Sequence, residues 1–229
     1  MIKPSKLVVL TGAGMSAESG IPTFRGAGGL WEGHRIEEVA SPEAWKQNPQ
    51  LVLNFYNERR KHLMTCEPNE GHRILASWAQ KMSIQIITQN VDDLHERSGS
   101  ENVLHLHGEL MKARSLGPGG ESERMSHWEM TLNDRCNRGY PVRPDIVWFG
   151  ESVPMMDIAF QHVQQASCLL VIGTSLQVYP AAQLAYVAPA HAEVIVIDPA
   201  AEELSVNCAK MMRMKASEGL QMLNRKWFE

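Results

Sequence analysis

Six short apolar runs, rich in β-branched residues and closed by turn residues, punctuate the chain: KLVVLTG (6–12), IQIITQN (84–90), NVLHLHG (102–108), DIVWFG (145–150), CLLVIGTS (168–175) and EVIVID (193–198). Runs this short that stay apolar on consecutive positions predict strands buried on both faces, as in a parallel sheet. Helical patterns lie between them. The longest spans Ser41 to Met64 and opens on SPEAW, with Ser41 as N-cap and Pro42 at the first helical position. GHRILASWAQKM, PAAQLAYVA and SEGLQMLNRKWF, the last capped by Ser217, predict further helices. Strands alternating with helices predict an α/β fold with a doubly wound, parallel, Rossmann-like sheet.

Residues 111–143 break this rhythm. SLGPGGESERMSHWEMTLNDRCNRGYPVRP mixes Gly, Pro and charge without a strong period, which predicts a small inserted module or lid. The main domain is then expected over 1–110 and 144–229. A chain of 229 residues with 44% hydrophobic content suits one such domain with an insertion. The net charge of −4 changes little: Lys210, Arg213, Lys215, Arg225 and Lys226 gather near the end, but no long basic run promises nucleic-acid binding. Cys66, Cys136, Cys168 and Cys208 form no CxxC pair, which argues against a disulfide framework and for a reducing, cytosolic setting. The apolar run before Gly12 is too short for a signal peptide or a membrane span, so no membrane association is expected.

Chemistry first surfaces in GAGMSAESGIPTFRG, residues 12–26. Gly12, Gly14 and Ala17 make a G-x-G-x-x-A pattern directly after a predicted strand, where glycines allow backbone N–H groups to approach a pyrophosphate. A bare strand-to-helix turn would use the same glycines. An ordinary dehydrogenase would continue into a long helix, a second strand and an acidic residue about 20 positions on. Here Gly20, Pro22 and Gly26 interrupt. A loop that binds phosphates and then crosses the nicotinamide end suits chemistry in which the cofactor itself is cut, because the leaving base must be held and the sugar sheltered from water.

This loop, followed by TQNVDDLHERSG, VLHLHGEL, PDIVWFGESVP and GTSLQVYPAA, resembles the sirtuins, NAD-dependent protein-lysine deacylases, in order and approximate spacing from about residue 7 to 200. The resemblance implies NAD as cofactor and acylated protein lysines as substrates. It implies that the acyl carbonyl oxygen attacks the sugar carbon as nicotinamide leaves, and that His107 and Asn90 are catalytic. His107 would be the general base toward the ribose hydroxyls, a role that suits an imidazole with an ordinary pKa of about 6.5. Gln89, Asn90 and Asp92 would contact the ribose and the carboxamide. Gly12, Ala13, Gly14, Ala17, Phe24, Arg25, Trp31, Gly173, Thr174, Ser175, Asp198 and Ala216 would complete the cofactor site, with Phe24 shielding the reacting face and Arg25 in the mobile loop. Val147, Phe149 and Gly150 resemble the strand edge that clamps the substrate peptide.

Plainer readings stand beside these. His105 and His107, at i and i+2 on a strand, could form a metal pair, although no third ligand is evident. Asn90 and Asp92 are also common turn residues. Tyr56 and Arg59, three apart on a predicted helix spanning about 41–66, resemble the Tyr-x-x-Arg pair of sirtuins that remove succinyl, malonyl or glutaryl groups. A guanidinium fork can bind a carboxylate and a phenol can add a hydrogen bond. Without that context they would be solvent-face residues.

Two departures stand out. Most sirtuins carry four zinc cysteines in the small module, whereas 111–143 holds only Cys136, with Ser115 to Pro118 where the first pair would lie. One thiolate and His127 cannot complete a structural zinc site, so a zinc-free module packed by Met125, Trp128, Leu132 and Tyr140 is expected. Asp198 stands where sirtuins commonly have Asn near the adenosine ribose; a carboxylate can still accept from ribose hydroxyls. Besides deacylation, transfer of ADP-ribose to protein and a non-catalytic NAD-sensing role remain open. Oligomeric state is not legible.

Overall fold

The computed structural model describes residues 3–23, 35–206 and 208–229. In chain order its elements are β1 (Lys6–Thr11), α1 (Ile36–Val39), α2 (Pro42–Gln47), α3 (Pro49–Leu63), α4 (Glu70–Ala79), β2 (Ser83–Thr88), α5 (Leu94–Arg97), β3 (Val103–His105), β4 (Gly108–Ser115), β5 (Ser122–Arg124), β6 (Val142–Ile146), α6 (Met156–Gln164), β7 (Cys168–Ile172), β8 (Glu193–Ile197), β9 (Lys210–Met212) and α7 (Ala216–Phe228). Four short 3-10 turns interleave, among them Ala13–Met15 and Ala181–Tyr186.

Six strands form one parallel sheet in the order β3-β2-β1-β7-β8-β9. The apolar character of β1, β2, β7 and β8 follows from burial on both faces. Leu7, Val9, Ile86, Leu170 and Ile197 pack toward Leu75 and Trp78 of α4 and Leu220 and Leu223 of α7. Val8, Leu10, Ile87, Leu169 and Val171 pack toward Ala159 and Val163 of α6 and Leu184. The strand order turns back between β1 and β7, and a doubly wound sheet opens its ligand crevice at such a point. No helix among the described residues is long and apolar enough to cross a membrane.

Several expected elements differ. DIVWFG is not a strand of the parallel sheet: Val142–Ile146 pairs antiparallel with β4, in a three-stranded sheet ordered β5-β4-β6. Only Asp145 and Ile146 of that run lie in β6, whose sequence VRPDI is buried at all five positions but is not apolar: Arg143 pairs with Glu151 and Asp145 with Arg114. NVLHLHG is split, its first half in the parallel sheet and its glycine opening β4. The helix expected from Ser41 to Met64 breaks at Asn48, because a residue before proline is disfavoured in the α region. The Asn48 side chain then caps α3 by accepting from the Leu51 amide, 3.0 Å. PAAQLAYVA forms a 3-10 turn, and β9 had no apolar run to announce it.

The packing expected in the small sheet is also corrected. Leu132 and Tyr140 are exposed, and the buried group there is Leu53, Met130, Cys136 and Val142, with Met125 and Trp45 against it. Tyr140 instead lies flat against Gly117, where a Cβ would stand 2.3 Å from its ring. Trp128 is half-buried beneath Lys61, whose ammonium sits 5.5 Å from the indole centroid. The Asn57 side chain latches this layer to α3, donating to the Met130 carbonyl and accepting from the Met130 amide, both at 2.9 Å.

Candidate active site

The carboxyl ends of β1 and β7 carry two glycine turns that interlock. The Gly12 amide donates to the Ile172 carbonyl at 3.0 Å and the Gly14 amide to the Gly173 carbonyl at 2.8 Å. Gly173 has φ +60°, and a Cβ on Gly14 would stand 2.6 Å from the Gly173 Cα, so this crossing admits no side chain.

Above the crossing lies a cavity of about 650 Å3. It gathers residues from remote parts of the chain: Gly12, Ala13, Gly14 and Ala17; Tyr56 and Arg59; Gln89 and Asn90; His107; Val147, Phe149 and Gly150; Gly173, Thr174 and Ser175; Asp198; and Ala216. Asp92 lies outside it and closes a smaller adjoining cavity of about 50 Å3 that shares Ala13, Arg59 and Asn90. Phe24, Arg25 and Trp31 fall outside the described residues.

His107 sits in the bend between β3 and β4. Its Nδ1 lies 3.0 Å from the Gln89 carbonyl oxygen, which can only accept, so Nδ1 carries hydrogen and Nε2 keeps its lone pair in the neutral ring. Burial lowers its pKa, opposed by the Gln89 carbonyl. Gly108 makes the bend possible: its φ is +83° and a Cβ would stand 2.0 Å from the Asp145 carbonyl oxygen. His105 points to different partners, Glu96 at 2.8 Å through Nε2 and the Asn90 carbonyl at 3.0 Å through Nδ1. Burial disfavours its charge, but the Glu96 carboxylate outweighs this and its pKa is raised. The two imidazoles therefore hold consecutive carbonyls of one loop rather than sharing a metal. Among the described residues no group of three His, Cys, Asp or Glu side chains could hold a metal ion, and Cys136 Sγ faces Ser115 Oγ at 3.4 Å.

A buried polar relay fixes the 89–92 loop. Asn90 Nδ2 donates to Ser16 Oγ at 3.1 Å, and Ser16 donates to Asp92 Oδ2 at 2.9 Å. Burial pushes the Asp92 carboxyl up to about 6, against the pull of Ser16 and the Leu94 amide. Gln89 Nε2 is committed to Thr174 Oγ1 at 3.0 Å, tying this loop to the second glycine turn. Asp198, at the end of β8, accepts from the Ala200 amide at 2.8 Å. The Val147 and Phe149 amides donate to the His107 and Ala40 carbonyls, so pairing with a substrate backbone would use other groups of that segment.

Tyr56 and Arg59 project from α3 into the same cavity. The Arg59 guanidinium lies 3.2 Å from the Phe55 ring centroid and donates to the Phe55 carbonyl at 2.7 Å. Burial lowers its pKa to about 10, which leaves it cationic at neutral pH. Burial raises the Tyr56 pKa well above its ordinary value, and its oxygen accepts from Trp148 Nε1 at 3.1 Å. Sequence reasoning gave no role to Ser16 or Trp148. Ser16 sits inside the glycine pattern, where a serine looks like loop filler, and Trp148 sits inside an apolar run that reads as core.

Fold and cleft together define a Rossmann-like α/β protein whose ligand crevice lies at the switch point of its sheet. Residues 12–180 match the Sir2 family, and the chain belongs to that family. It is 48% identical over 225 residues to an NAD-dependent protein deacylase of Bacteroides thetaiotaomicron, covering 96% of each chain. It is 51% identical over 220 residues to one of Helicobacter pylori, covering 93% of this chain and 95% of that relative. The crystal structure of a Sir2 homolog–NAD complex superposes with a TM-score of 0.88 at 39% identity, covering 98% of this chain and 90% of the other.

Proposed function

We propose that this protein uses NAD to remove acyl groups from protein lysines, with succinyl and malonyl preferred to acetyl. The observation that carries the reading is that His107, Asn90, both glycine turns and the Tyr56–Arg59 pair line one continuous cavity. The name shared by the relatives, NAD-dependent protein deacylase, supports the reaction class.

The residues present fit NAD on two counts. A Cβ on Gly12 would stand 2.7 Å from the Gly173 carbonyl oxygen, so glycine is what lets the two turns close on each other, and both line the cavity in which a pyrophosphate would lie. Asn90 Oδ1 is buried with no partner among the described residues, an acceptor that a carboxamide or a sugar hydroxyl would satisfy. When bound, NAD supplies a sugar carbon activated by its pyridinium leaving group. His107 would act through Nε2, which keeps a lone pair able to take a proton from a sugar hydroxyl held there, its neutral form favoured by burial. Ser16 and Asp92 orient the Asn90 amide. Arg59 supplies a cation and Tyr56 a neutral phenol at the acyl end, a pair matched to a terminal carboxylate. Four unpaired cysteines support a cytosolic setting.

One assay tests the reading. The protein is incubated with NAD and succinyl-lysine, acetyl-lysine or unmodified peptide, and nicotinamide and acyl-ADP-ribose are followed by mass. Acyl-ADP-ribose from the acylated peptides, with succinyl favoured, is the expected result. A peptide that gains ADP-ribose, or silence throughout, overturns it.

A further inference from the structure

We infer that Trp148 is a positioning residue that makes the Tyr56 hydroxyl a hydrogen-bond donor toward the acyl group, and so contributes to the choice between carboxylated and neutral acyl chains. The inference rests on the reading of Tyr56 and Arg59 as the acyl-recognising pair.

An indole N–H only donates, so at 3.1 Å from Trp148 Nε1 the Tyr56 oxygen is an acceptor. The phenol hydrogen then points elsewhere, and no acceptor among the described residues receives it, while Tyr56 itself lines the cavity. Burial keeps that hydrogen in place at working pH. A phenol free to rotate can offer a ligand either its hydrogen or its lone pair; with the indole in place it offers the hydrogen. A carboxylate is acceptor-only and takes it, whereas the methyl of an acetyl group has no use for it.

Trp148 is itself fixed. It is 3% exposed, its amide donates to Glu151 Oε2 at 2.9 Å, and the other oxygen of Glu151 holds Arg143 Nη2 at 2.8 Å. The Arg143 guanidinium lies 4.0 Å from the indole centroid and Trp45 packs against the ring at 5.9 Å between centroids. The indole cannot swing away from Tyr56 without disturbing this arrangement.

A double-mutant cycle tests the inference. Wild type, Trp148→Phe, Tyr56→Phe and the double variant are compared by kcat/KM on succinyl- and acetyl-lysine peptides at saturating NAD. Trp148→Phe is expected to lower the succinyl-to-acetyl ratio about fivefold, the loss of one hydrogen bond. The double variant is expected within about twofold of Tyr56→Phe alone, because Trp148 acts through that hydroxyl. An unchanged ratio in Trp148→Phe, or losses that multiply in the double variant, overturns the inference while the acyl preference stands. A ratio unmoved by Tyr56→Phe removes the acyl-preference reading and this inference with it. Should Trp148→Phe fold poorly, the indole N–H resonance of Trp148 in 15N-labelled protein serves instead. It is expected to shift in Tyr56→Phe, and its failure to move overturns the inference.

Discussion

A histidine with one nitrogen committed to a carbonyl is a base at the other, and this is the state of His107. Its replacement by Ala is expected to cut turnover about 100- to 10,000-fold, the range for losing a general base, while NAD still protects the protein against heat. Because burial depresses its pKa, the acid limb of kcat/KM should lie below the ordinary histidine range: the base form persists on acidification and activity is lost only as pH falls through the lowered value. An acid limb at or above pH 6.5 would contradict this. A second histidine speaks to stability. His72 is fully buried, caps α4 by accepting from the Asn69 amide, and has Nε2 without a partner among the described residues. Burial lowers its pKa from 6.5 to about 4. Between those values the unfolded chain binds a proton that the folded chain refuses, so stability is full above about pH 6.5 and falls by about 3 kcal/mol by pH 4. His95, buried beside it with its pKa also lowered, acts in the same direction. Urea midpoints at pH 7.5, 6 and 5 should fall more steeply in wild type than in His72→Gln.

At the scale of elements, α3 has two duties that its sequence sets on different faces. Tyr56 and Arg59 turn to the cavity, while Asn57 turns to the layer of the small sheet and Arg60 donates to Asn57 Oδ1. Arg59→Met is expected to lower kcat/KM for a succinyl peptide by about 10- to 100-fold, the worth of a charged hydrogen bond, and for an acetyl peptide far less. Equal losses on both would refute Arg59 as the carboxylate ligand. The spacing of Tyr56 and Arg59 on a helix was readable from the chain, as was the glycine turn at the end of β1. What could not be read was that Trp148, ninety-two positions after Tyr56, holds its hydroxyl. Ser16 was hidden for the same reason: its partners Asn90 and Asp92 come from another strand end.

For the molecule as a whole, the question is how the small three-stranded sheet holds its place. Asn57 answers in part, since its amide satisfies both backbone groups of Met130 at once. Asn57→Ala would leave that amide and carbonyl buried without partners and is expected to cost about 2–4 kcal/mol. Amide exchange over 122–142 should quicken while β1, β2 and β7 keep their protection; uniform loss across both sheets would show that Asn57 is not a local latch. The parallel sheet itself was legible because strands buried on two faces carry short, mostly apolar runs, and five of its six strands coincide with such runs. β9 did not, being short and half-buried at an edge. Nor was β6 legible, because its buried Arg143 and Asp145 depend on partners from other segments, Glu151 and Arg114, and pairing with β4 decides which way it runs. The sequence by itself therefore determined the alternation of strands and helices, the glycine turns and the residue types gathered at the cleft, all of which follow from local backbone freedom and hydrophobic period. Tertiary structure alone decided which carbonyl fixes the His107 tautomer, which oxygen Trp148 holds and which way the small sheet pairs, because each depends on contacts between segments whose separation along the chain carries no record of their distance in space.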